Sequence, residues 1–495
     1  MLGSVEVTKE VVDPGPESPV GGSDHQVGDV MKQSFVFSGL CVWLLFGCAD
    51  VRVPEYQHPQ APAKSTWSRP SATIVSAAEA VSPKWWAQFG DAYLDSLVAK
   101  AVAGNFDLKI LAARIEVANA QIAEARAGAL PTADIAAGSG LQKTVGQTFS
   151  KQFDLGSRVS WDIDVWGKVE MGVQGQTAEF HATEADWRAG YLQMVADVAT
   201  TYFQILQLDE QIDQQQRALA KNEQILAIYE TMHSNGLISD TEVLRQRAEN
   251  NRLTKDLLEL RRSRDVTENA LATLLGVPAG EFMVQPDRLQ GRVQVPAVPA
   301  GLPLDLLARR PDVVAAEFRV LEAHDLMGQA RLAQLPSVSL TGLAGTGAFN
   351  VTDLFKALTF ALMPNINIPA LNPGIRAHVK TTEAEIKVAE EGYRRTVIAA
   401  FEEVENALVN LEAHRRQKEE LQKQVDQLQV VSAQTEAQLE VGVVSQLDVF
   451  ESERSLLTAQ LALLASHEQV LCDTVTLYKA LGGGWAPLEV ANASR

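Results

Sequence analysis

The chain repeats itself at a spacing of about 206 residues. Gly236 and Ser239 recur as Gly442 and Ser445. Further matched pairs, at spacings of 205 to 207, are Asp107 with Asp312, Arg126 with Arg331, Pro131 with Pro336, Gly167 with Gly374, Val243 with Val449 and Gly276 with Gly482. An offset kept over roughly 170 positions indicates an internal duplication of one structural unit. Such a duplication constrains the architecture more than any local pattern does.

Each unit predicts the same order of elements: a helix, two strands, a long helix, a turn and a return helix. The predicted helices are 106–130, Gly167 to about His233 and 240–275 in the first unit, and 309–335, Gly374 to about Glu440 and 446–481 in the second. Each long helix contains no proline over more than about 60 residues, or roughly 90–100 Å. Because the two shorter helices together nearly match the long one, we expect them to lie end to end along it.

The strands are predicted at about 131–165 and 336–370 from alternating side chains. The clearest alternation places Phe153, Leu155, Val159, Trp161 and Ile163 on one face and Asp154, Arg158, Ser160 and Asp162 on the other. Such alternation is typical of a transmembrane barrel strand with a wet lumen. A half-buried soluble sheet alternates equally well, and the pattern alone leaves both open.

A membrane location would require several copies of the chain. Four strands cannot close a barrel, for which about eight is the practical minimum. An open sheet edge cannot face lipid because its N–H and C=O groups would be unpaired. Two chains would supply eight strands and three would supply twelve, and barrel closure alone permits both.

Composition excludes several classes of function. The 495 residues carry a net charge of −19, which disfavours binding to nucleic acid. The eight histidines form neither an HExxH motif nor a zinc-spaced Cys/His cluster, and no glycine-rich loop ends in Lys-Ser or Lys-Thr. We therefore expect no enzyme, no metal, no cofactor and no internal energy source.

The N-terminus reads as a sorting signal. Lys32 precedes an apolar stretch from Phe35 to Gly47, which suits a signal peptide and is too short to span a bilayer. The stretch ends at Leu45-Phe46-Gly47-Cys48, which resembles a bacterial lipobox and makes Cys48 the candidate for lipid attachment. Residues 1–30 have no pattern, and Met31 is an alternative start of the true chain.

These signals divide the chain into six parts. They are a signal region 1–47, a lipidated tether 48–84, repeat one 85–276, an inter-repeat linker 277–303 with five prolines, repeat two 304–482 and a tail 483–495.

Several motifs together name a family. The segments Ser160-Trp161-Asp162-Ile163-Asp164-Val165-Trp166-Gly167-Lys168, Ala308-Arg309-Arg310-Pro311-Asp312-Val313 and Leu477-Tyr478-Lys479-Ala480-Leu481-Gly482-Gly483-Gly484-Trp485 resemble TolC/NodT-type outer-membrane efflux lipoproteins. Trp85-Trp86 followed by Phe89-Gly90-Asp91 resembles the start of their folded part. The resemblance covers about residues 85–485 and implies a mainly α protein with a TolC-like duplicated unit.

The resemblance also implies an assembly. It implies a homotrimer with a shared twelve-strand barrel in the outer membrane and a long α-helical barrel in the periplasm. The implied partners are outer-membrane lipid, a periplasmic adaptor and an inner-membrane pump, most often of the resistance-nodulation-division type.

Two sets of site residues follow. Gly236, Ser239, Gly442 and Ser445 predict the two helix turns, which we expect to serve also as the adaptor docking surface. The resemblance implies that Asp448, Glu451 and Arg454 line a narrow periplasmic aperture, with Glu242 and Arg245 as the first-repeat equivalents of Asp448 and Glu451. A solvated helix face is the alternative for these charges.

The resulting hypothesis is a passive outer-membrane duct for exported small molecules. One alternative is the same duct serving type I protein secretion, which neighbouring genes for an ABC exporter would indicate. Another is a soluble periplasmic coiled-coil scaffold or adaptor, which the doubled hairpin and the four alternating strands disfavour.

Overall fold

The computed structural model describes residues 52–62, 67, 82–143, 149–298, 309–356, 358–369 and 371–483. The predicted signal region, Cys48 and the tail after residue 483 lie outside the described residues. Everything below belongs to the compact unit Val53–Arg495.

The two halves of this unit contain the same succession of helices and strands. The helices are α1 Ala92–Gly104, α2 Phe106–Ala127, α3 Lys168–Ser234, α4 Asp240–Leu274, α5 Pro311–Leu332, α6 Pro373–Glu440 and α7 Gln446–Ala480. The strands are β1 Thr132–Gln142, β2 Ser150–Ile163, β3 Ser337–Ala348 and β4 Thr359–Asn367. The sequence predicted all of these except α1; it also missed two short 3₁₀ turns, Trp85–Phe89 and Val351–Asp353.

The two long helices are confirmed, with 67 residues in α3 and 68 in α6, about 100 Å each. They begin differently, however. Gly167 precedes α3 with a positive φ of 75°, whereas Gly374 is already the second residue of α6, which Asn372 caps by accepting a hydrogen bond from Ile375 N. Within the described part of the chain, no helix is long and apolar enough to cross a membrane.

The shorter helices abut end to end, as predicted. Asn105 caps α2 and donates from its Nδ2 to the carbonyl of Leu274 at the end of α4, at 2.9 Å. In the second half, Arg310 precedes α5 and donates from Nη1 to the carbonyl of Ala480 at the end of α7, at 3.0 Å. Each long helix therefore has a continuous two-helix partner.

The four strands form one antiparallel sheet in the order β1-β2-β3-β4. The register places Ile135 opposite Ser157, Leu155 opposite Thr346, and Gly342 opposite Leu362. Because side chains alternate between the two faces of a strand, this register collects the apolar sets of all four strands on one face. Asp134 and Arg158 are directly opposite each other on the other face.

The core lies where the shorter helices meet beside the long ones. Trp85 stacks on Tyr478 with ring centroids 5.2 Å apart, and Phe89 packs against Phe203 at 5.1 Å. All four side chains are fully buried. Two of the segments that carried the family resemblance, around Trp85 and Tyr478, therefore form one aromatic cluster.

The inter-repeat segment is irregular over 277–298 and is held by buried carboxylates of α3 and α4. Glu268 accepts a hydrogen bond from Val284 N at 2.6 Å, and Glu210 accepts one from Leu289 N at 3.1 Å. Leu289 is fully buried, so the segment is anchored in the helix bundle rather than only wrapped over its surface.

Part of the predicted tether, residues 53–62, also packs against the second half. His324 Nε2 is 2.8 Å from the Pro54 carbonyl, and Arg394 Nε donates to the Gln60 carbonyl at 3.1 Å. These contacts place the segment on α5 and α6. It has no helix or strand, in agreement with its proline-rich composition.

Candidate functional site at the helix turns

Both long helices end in the same glycine-terminated turn. Leu237 N donates to Met232 O at 2.9 Å and Gly236 N donates to His233 O at 2.8 Å, and the turn at Gly442 has the same two bonds at 2.9 Å each. This is the Schellman pattern, in which the glycine takes a left-handed conformation. Gly236 and Gly442 have φ of 76° and 75°, which confirms the turn chemistry predicted for them.

Ser239 and Ser445 begin the return helices, each with an acidic residue three positions later. Glu242 accepts a hydrogen bond from Ser239 N at 3.1 Å. Asp448 accepts from Ser445 N at 2.8 Å and from the Ser445 hydroxyl at 2.6 Å. These bonds hold the pKa of Asp448 below its ordinary value. The carboxylate of Asp448 therefore caps α7.

The structure brings the remaining predicted aperture residues into one cleft. Between α4 and α7 lies a cavity of about 380 Å³ that is lined by Glu242, Arg245, Ser445, Glu451 and Arg454. Glu451 and Arg454 are exposed. The cleft thus combines charged residues of both repeats, which sequence spacing within one helix could not show.

Apolar side chains surround the turns on their outer side. Leu237 is 69% exposed and Val443 is 72% exposed, and each directly follows its turn glycine. Leu244 and Leu447 are also exposed, near the starts of the return helices. The end of the molecule therefore presents apolar tips next to a charged cleft.

A three-helix ion cluster above the cleft was missed by the sequence analysis. Lys221 of α3 forms ion pairs with Glu436 of α6 and with Glu453 of α7, the latter at 2.5 Å. Burial alone would lower the pKa of Lys221, but its hydrogen bonds with the two carboxylates raise it. Burial raises the pKa of Glu453, whereas the hydrogen bond from Lys221 lowers that of Glu436.

The repeat contained a signal for this cluster. At the spacing of 206, Glu436 corresponds to Glu230 and Glu453 corresponds to Arg247. Glu230 and Arg247 form a simple ion pair at 2.8 Å in the first half. The second half replaces that arginine by a carboxylate, so two acids face each other and require a cation from α3.

A second cavity of about 290 Å³ adjoins the cleft on the side away from the helix turns. It shares Glu249, Phe450 and Arg454 with the cleft and extends to Lys221 and Glu453. Across the described residues, no group of three or more His, Cys, Asp or Glu side chains could hold a metal ion. The arrangement is suited to holding helices together by reversible ionic contacts.

Comparison with known proteins agrees with this architecture. The model of the outer membrane efflux protein family matches residues 97–277 and 302–483, one stretch in each predicted repeat. The chain is 30% identical to the pyoverdine export outer membrane protein OpmQ of Pseudomonas putida, over 85% of this chain and 91% of that protein. It is 31% identical to the probable efflux pump outer membrane protein TtgC of the same species, over 92% and 96%.

Solved structures agree as well. The open state of the MtrE outer membrane channel of Neisseria gonorrhoeae superposes with a TM-score of 0.76 at 28% identity, covering 88% of this chain and 98% of that one. These similarities confirm the predicted TolC-like fold and the prediction that the chain is not an enzyme. The chain belongs to the outer membrane efflux protein family and is an outer-membrane efflux channel protein.

Proposed function

We propose that this protein is the passive exit duct of a tripartite efflux system and exports small molecules across the outer membrane. The observation that carries the proposal is that one chain combines two features. Its described strands form a sheet with one apolar face and unpaired edges at β1 and β4, and its paired helices are about 100 Å long. The apolar face and the open edges are suited to lipid and neighbouring copies, and the paired helices are long enough to extend far into an aqueous compartment.

The apolar face of the sheet supports a lipid location. In the single chain it exposes Ile135, Phe360 and Leu362, which are 83%, 74% and 70% accessible. The opposite face carries Asp134, Asp154, Arg158 and Asp162, as expected of a water-filled lumen. Trp161 and Trp166, near the helical end of the strands, donate their indole N–H groups to the carbonyls of Ala129 and Pro336, as interfacial tryptophans do.

We propose a homotrimer. Among the described residues, four strands form the sheet and the outer edges of β1 and β4 have no partner strand. Such edges cannot face lipid. Three copies would give twelve strands, arranged with β4 of one chain beside β1 of the next. Their helices would then form the continuous α-helical barrel that the family resemblance implies.

The charged cleft at the turns is the proposed aperture. Glu451 and Arg454 supply charges that can contact neighbouring helices, and Asp448 supplies both charge and the cap of α7. Lys221 joins α3 to α6 and α7 just above. Opening would separate these helices and break the ionic contacts, so the closed state is held by interactions that can form again.

The apolar turn tips are the proposed docking surface for a periplasmic adaptor, which would connect the duct to an inner-membrane pump. Leu237 and Val443 stand free beside Gly236 and Gly442 in the single chain. Lipidation at Cys48 would anchor the mature N-terminus in the outer membrane. Transport energy would come from the pump.

An accumulation assay tests the proposed function. Deleting the gene should raise the intracellular level of a fluorescent small-molecule efflux substrate, and wild-type protein should restore the low level. Unchanged accumulation in the deletion strain would contradict small-molecule efflux and favour protein secretion. Mass spectrometry of the mature N-terminus in wild type and Cys48→Ala tests the anchor separately, since an unacylated Cys48 would contradict only the anchor.

Planar-bilayer conductance tests the aperture. We expect Glu451→Gln to raise the conductance of the purified channel because it removes a charge that holds the closed cleft. For Asp448 the suitable variant is Asp448→Asn rather than Asp448→Ala, because an amide oxygen can still accept the hydrogen bond from Ser445 N that caps α7. Glu259→Gln is the matched control, since Glu259 pairs with Arg262 on its own exposed helix face. Equal conductance of the Glu451 variant and this control would remove Glu451 from the aperture.

A further inference from the structure

The lipid-facing side of the sheet carries one conspicuous charge. On the apolar face defined above, the described strand residues are Ala133, Ile135, Ala137, Ser139 and Leu141 in β1; Lys151, Phe153, Leu155, Ser157, Val159, Trp161 and Ile163 in β2; Val338, Leu340, Gly342, Ala344, Thr346 and Ala348 in β3; and Phe360, Leu362, Pro364 and Ile366 in β4. Lys151 is the only charged residue among them, and no acidic residue shares that face.

A second lysine stands beside it. Lys151 is opposite Leu141, and Lys143 lies one residue beyond the end of β1, two residues after Leu141. Continuing the alternation of the strand places Lys143 on the same side of the hairpin. Lys143 lies over the ring of Phe149 with its Nζ 4.8 Å from the centroid. Neighbouring positions of this kind are about 7–8 Å apart, close enough for both ammonium groups to contact one anion.

The depth of these lysines identifies the anion. Lys151 precedes Trp161 by ten residues in β2, about 33 Å along the strand, or roughly 25 Å along the membrane normal at a tilt of about 40°. The apolar band of such a sheet is also about 25 Å tall. The proposed membrane location puts Trp161 at the periplasmic border, and it therefore puts Lys151 at the opposite border, where lipid headgroups begin.

Exposed aromatic side chains lie at the same end of the sheet as the lysines. Phe149, Phe349 and Phe355 are 66%, 70% and 77% exposed in the loops that join the strands. A lysine extending from apolar surroundings toward the headgroup layer keeps its stem in lipid and its charge in water. Two like charges at neighbouring positions of a hairpin repel each other weakly, and an anion between them would turn that repulsion into attraction.

We propose that Lys143 and Lys151 bind a phosphate group of a phosphorylated glycolipid in the outer leaflet of the outer membrane. The inference depends on the proposed membrane location of the sheet and adds a specific lipid contact to it. The loop aromatics would contact the acyl chains and sugar, while the two ammonium groups contact the phosphate. This contact would fix the height of the duct in the membrane.

Native mass spectrometry of the full-length protein in detergent tests the proposal by titration with bis-phosphorylated lipid A. We expect wild type to bind this lipid and to bind its dephosphorylated form more weakly. Lys143→Gln with Lys151→Gln should weaken binding of the phosphorylated lipid on the order of tenfold. The matched control is Lys109→Gln, because Lys109 also lies over a phenylalanine ring, Phe106, at 5.0 Å, but on α2. It should bind like wild type.

Three results would overturn the inference: a double variant that binds like wild type, equal binding of the dephosphorylated lipid, or displacement of the lipid by millimolar inorganic phosphate, which would indicate a free-anion site. Bilayer conductance separates this from the proposed function. A double variant that conducts normally but retains full lipid binding refutes the lipid site alone, whereas wild-type protein that never inserts or conducts refutes the duct.

Discussion

At the scale of single residues, Glu322 of α5 couples the helix bundle to pH. Burial, and then the neighbouring Glu179 carboxylate, raise the pKa of Glu322 from 4.5 to about 7. The folded state therefore holds a proton that the unfolded chain releases above about pH 4.5. This contribution to stability is complete below that pH and is lost as the pH rises through about 7.

We predict that Glu322→Gln has a higher melting temperature than wild type at pH 8 and nearly the same one at pH 5. Glutamine mimics the protonated acid, so the gain at pH 8 should be on the order of 1–2 kcal/mol. Glu402→Gln, at an exposed position on α6, is the control variant, measured at the same two pH values. An equal effect of Glu322→Gln at both pH values would contradict the half-buried pair of Glu322 and Glu179.

Some roles of single residues were predictable from the sequence and others were not. The turn roles of Gly236, Ser239, Gly442 and Ser445 followed from local rules and were confirmed. The cap formed by Asp448 could have been read from the same rules, because an acid three positions after a capping serine completes a capping box. Local rules do not predict the Lys221 cluster, since it joins three helices that are distant in sequence, and only the replacement of Arg247 by Glu453 in the second repeat pointed to it.

At the scale of elements, glycine has opposite effects at a helix end and in a helix interior. Gly442 has a φ of 75°, which any side chain would make strained, although nothing lies within 4 Å of an added Cβ. Gly392 lies inside α6 with equally open space and ordinary helical geometry. The two sites therefore isolate backbone conformation from packing.

We predict that Gly442→Ala lowers stability by about 1 kcal/mol and that Gly392→Ala raises it by about 0.5–1 kcal/mol. Thermal or denaturant unfolding of the purified protein measures both. A destabilising Gly392→Ala would mean that this site is packed in the assembly, and a neutral Gly442→Ala would contradict the left-handed turn.

The types of the elements were predictable because alternating side chains are a strong signal for strands and long proline-free stretches are a strong signal for helices. The start of α6 was not, because the match of Gly374 with Gly167 suggested the same role for both. Asn372 followed by Pro373 supplies a side-chain cap and a pre-set φ, so α6 begins earlier and Gly374 needs no positive φ. Repeat equivalence holds for elements better than for their ends.

At the scale of the whole molecule, the helices and the sheet present two kinds of surface, each suited to a different solvent. The helices present charged residues and clefts suited to water. The sheet presents one apolar and one polar face and two open edges. For a single copy of the chain, neither water nor lipid alone is a suitable solvent for the charged helices, the apolar face and the open edges together. We therefore expect membrane insertion and assembly to occur together.

Adjacent residues of β1 provide a direct test of this division. Ile135 is on the apolar face, opposite Ser157 near the middle of the band, and is 83% exposed in the single chain, while Ala136 is exposed on the other face. Ile135→Lys should cost about 2–4 kcal/mol in a bilayer and strongly reduce the folded protein in outer-membrane fractions. Ala136→Lys should be tolerated because its charge enters a wet lumen. A soluble scaffold would tolerate both changes alike, so equal recovery of the two variants would contradict the membrane sheet. Loss of the Ile135→Lys variant alone would identify the face that contacts lipid.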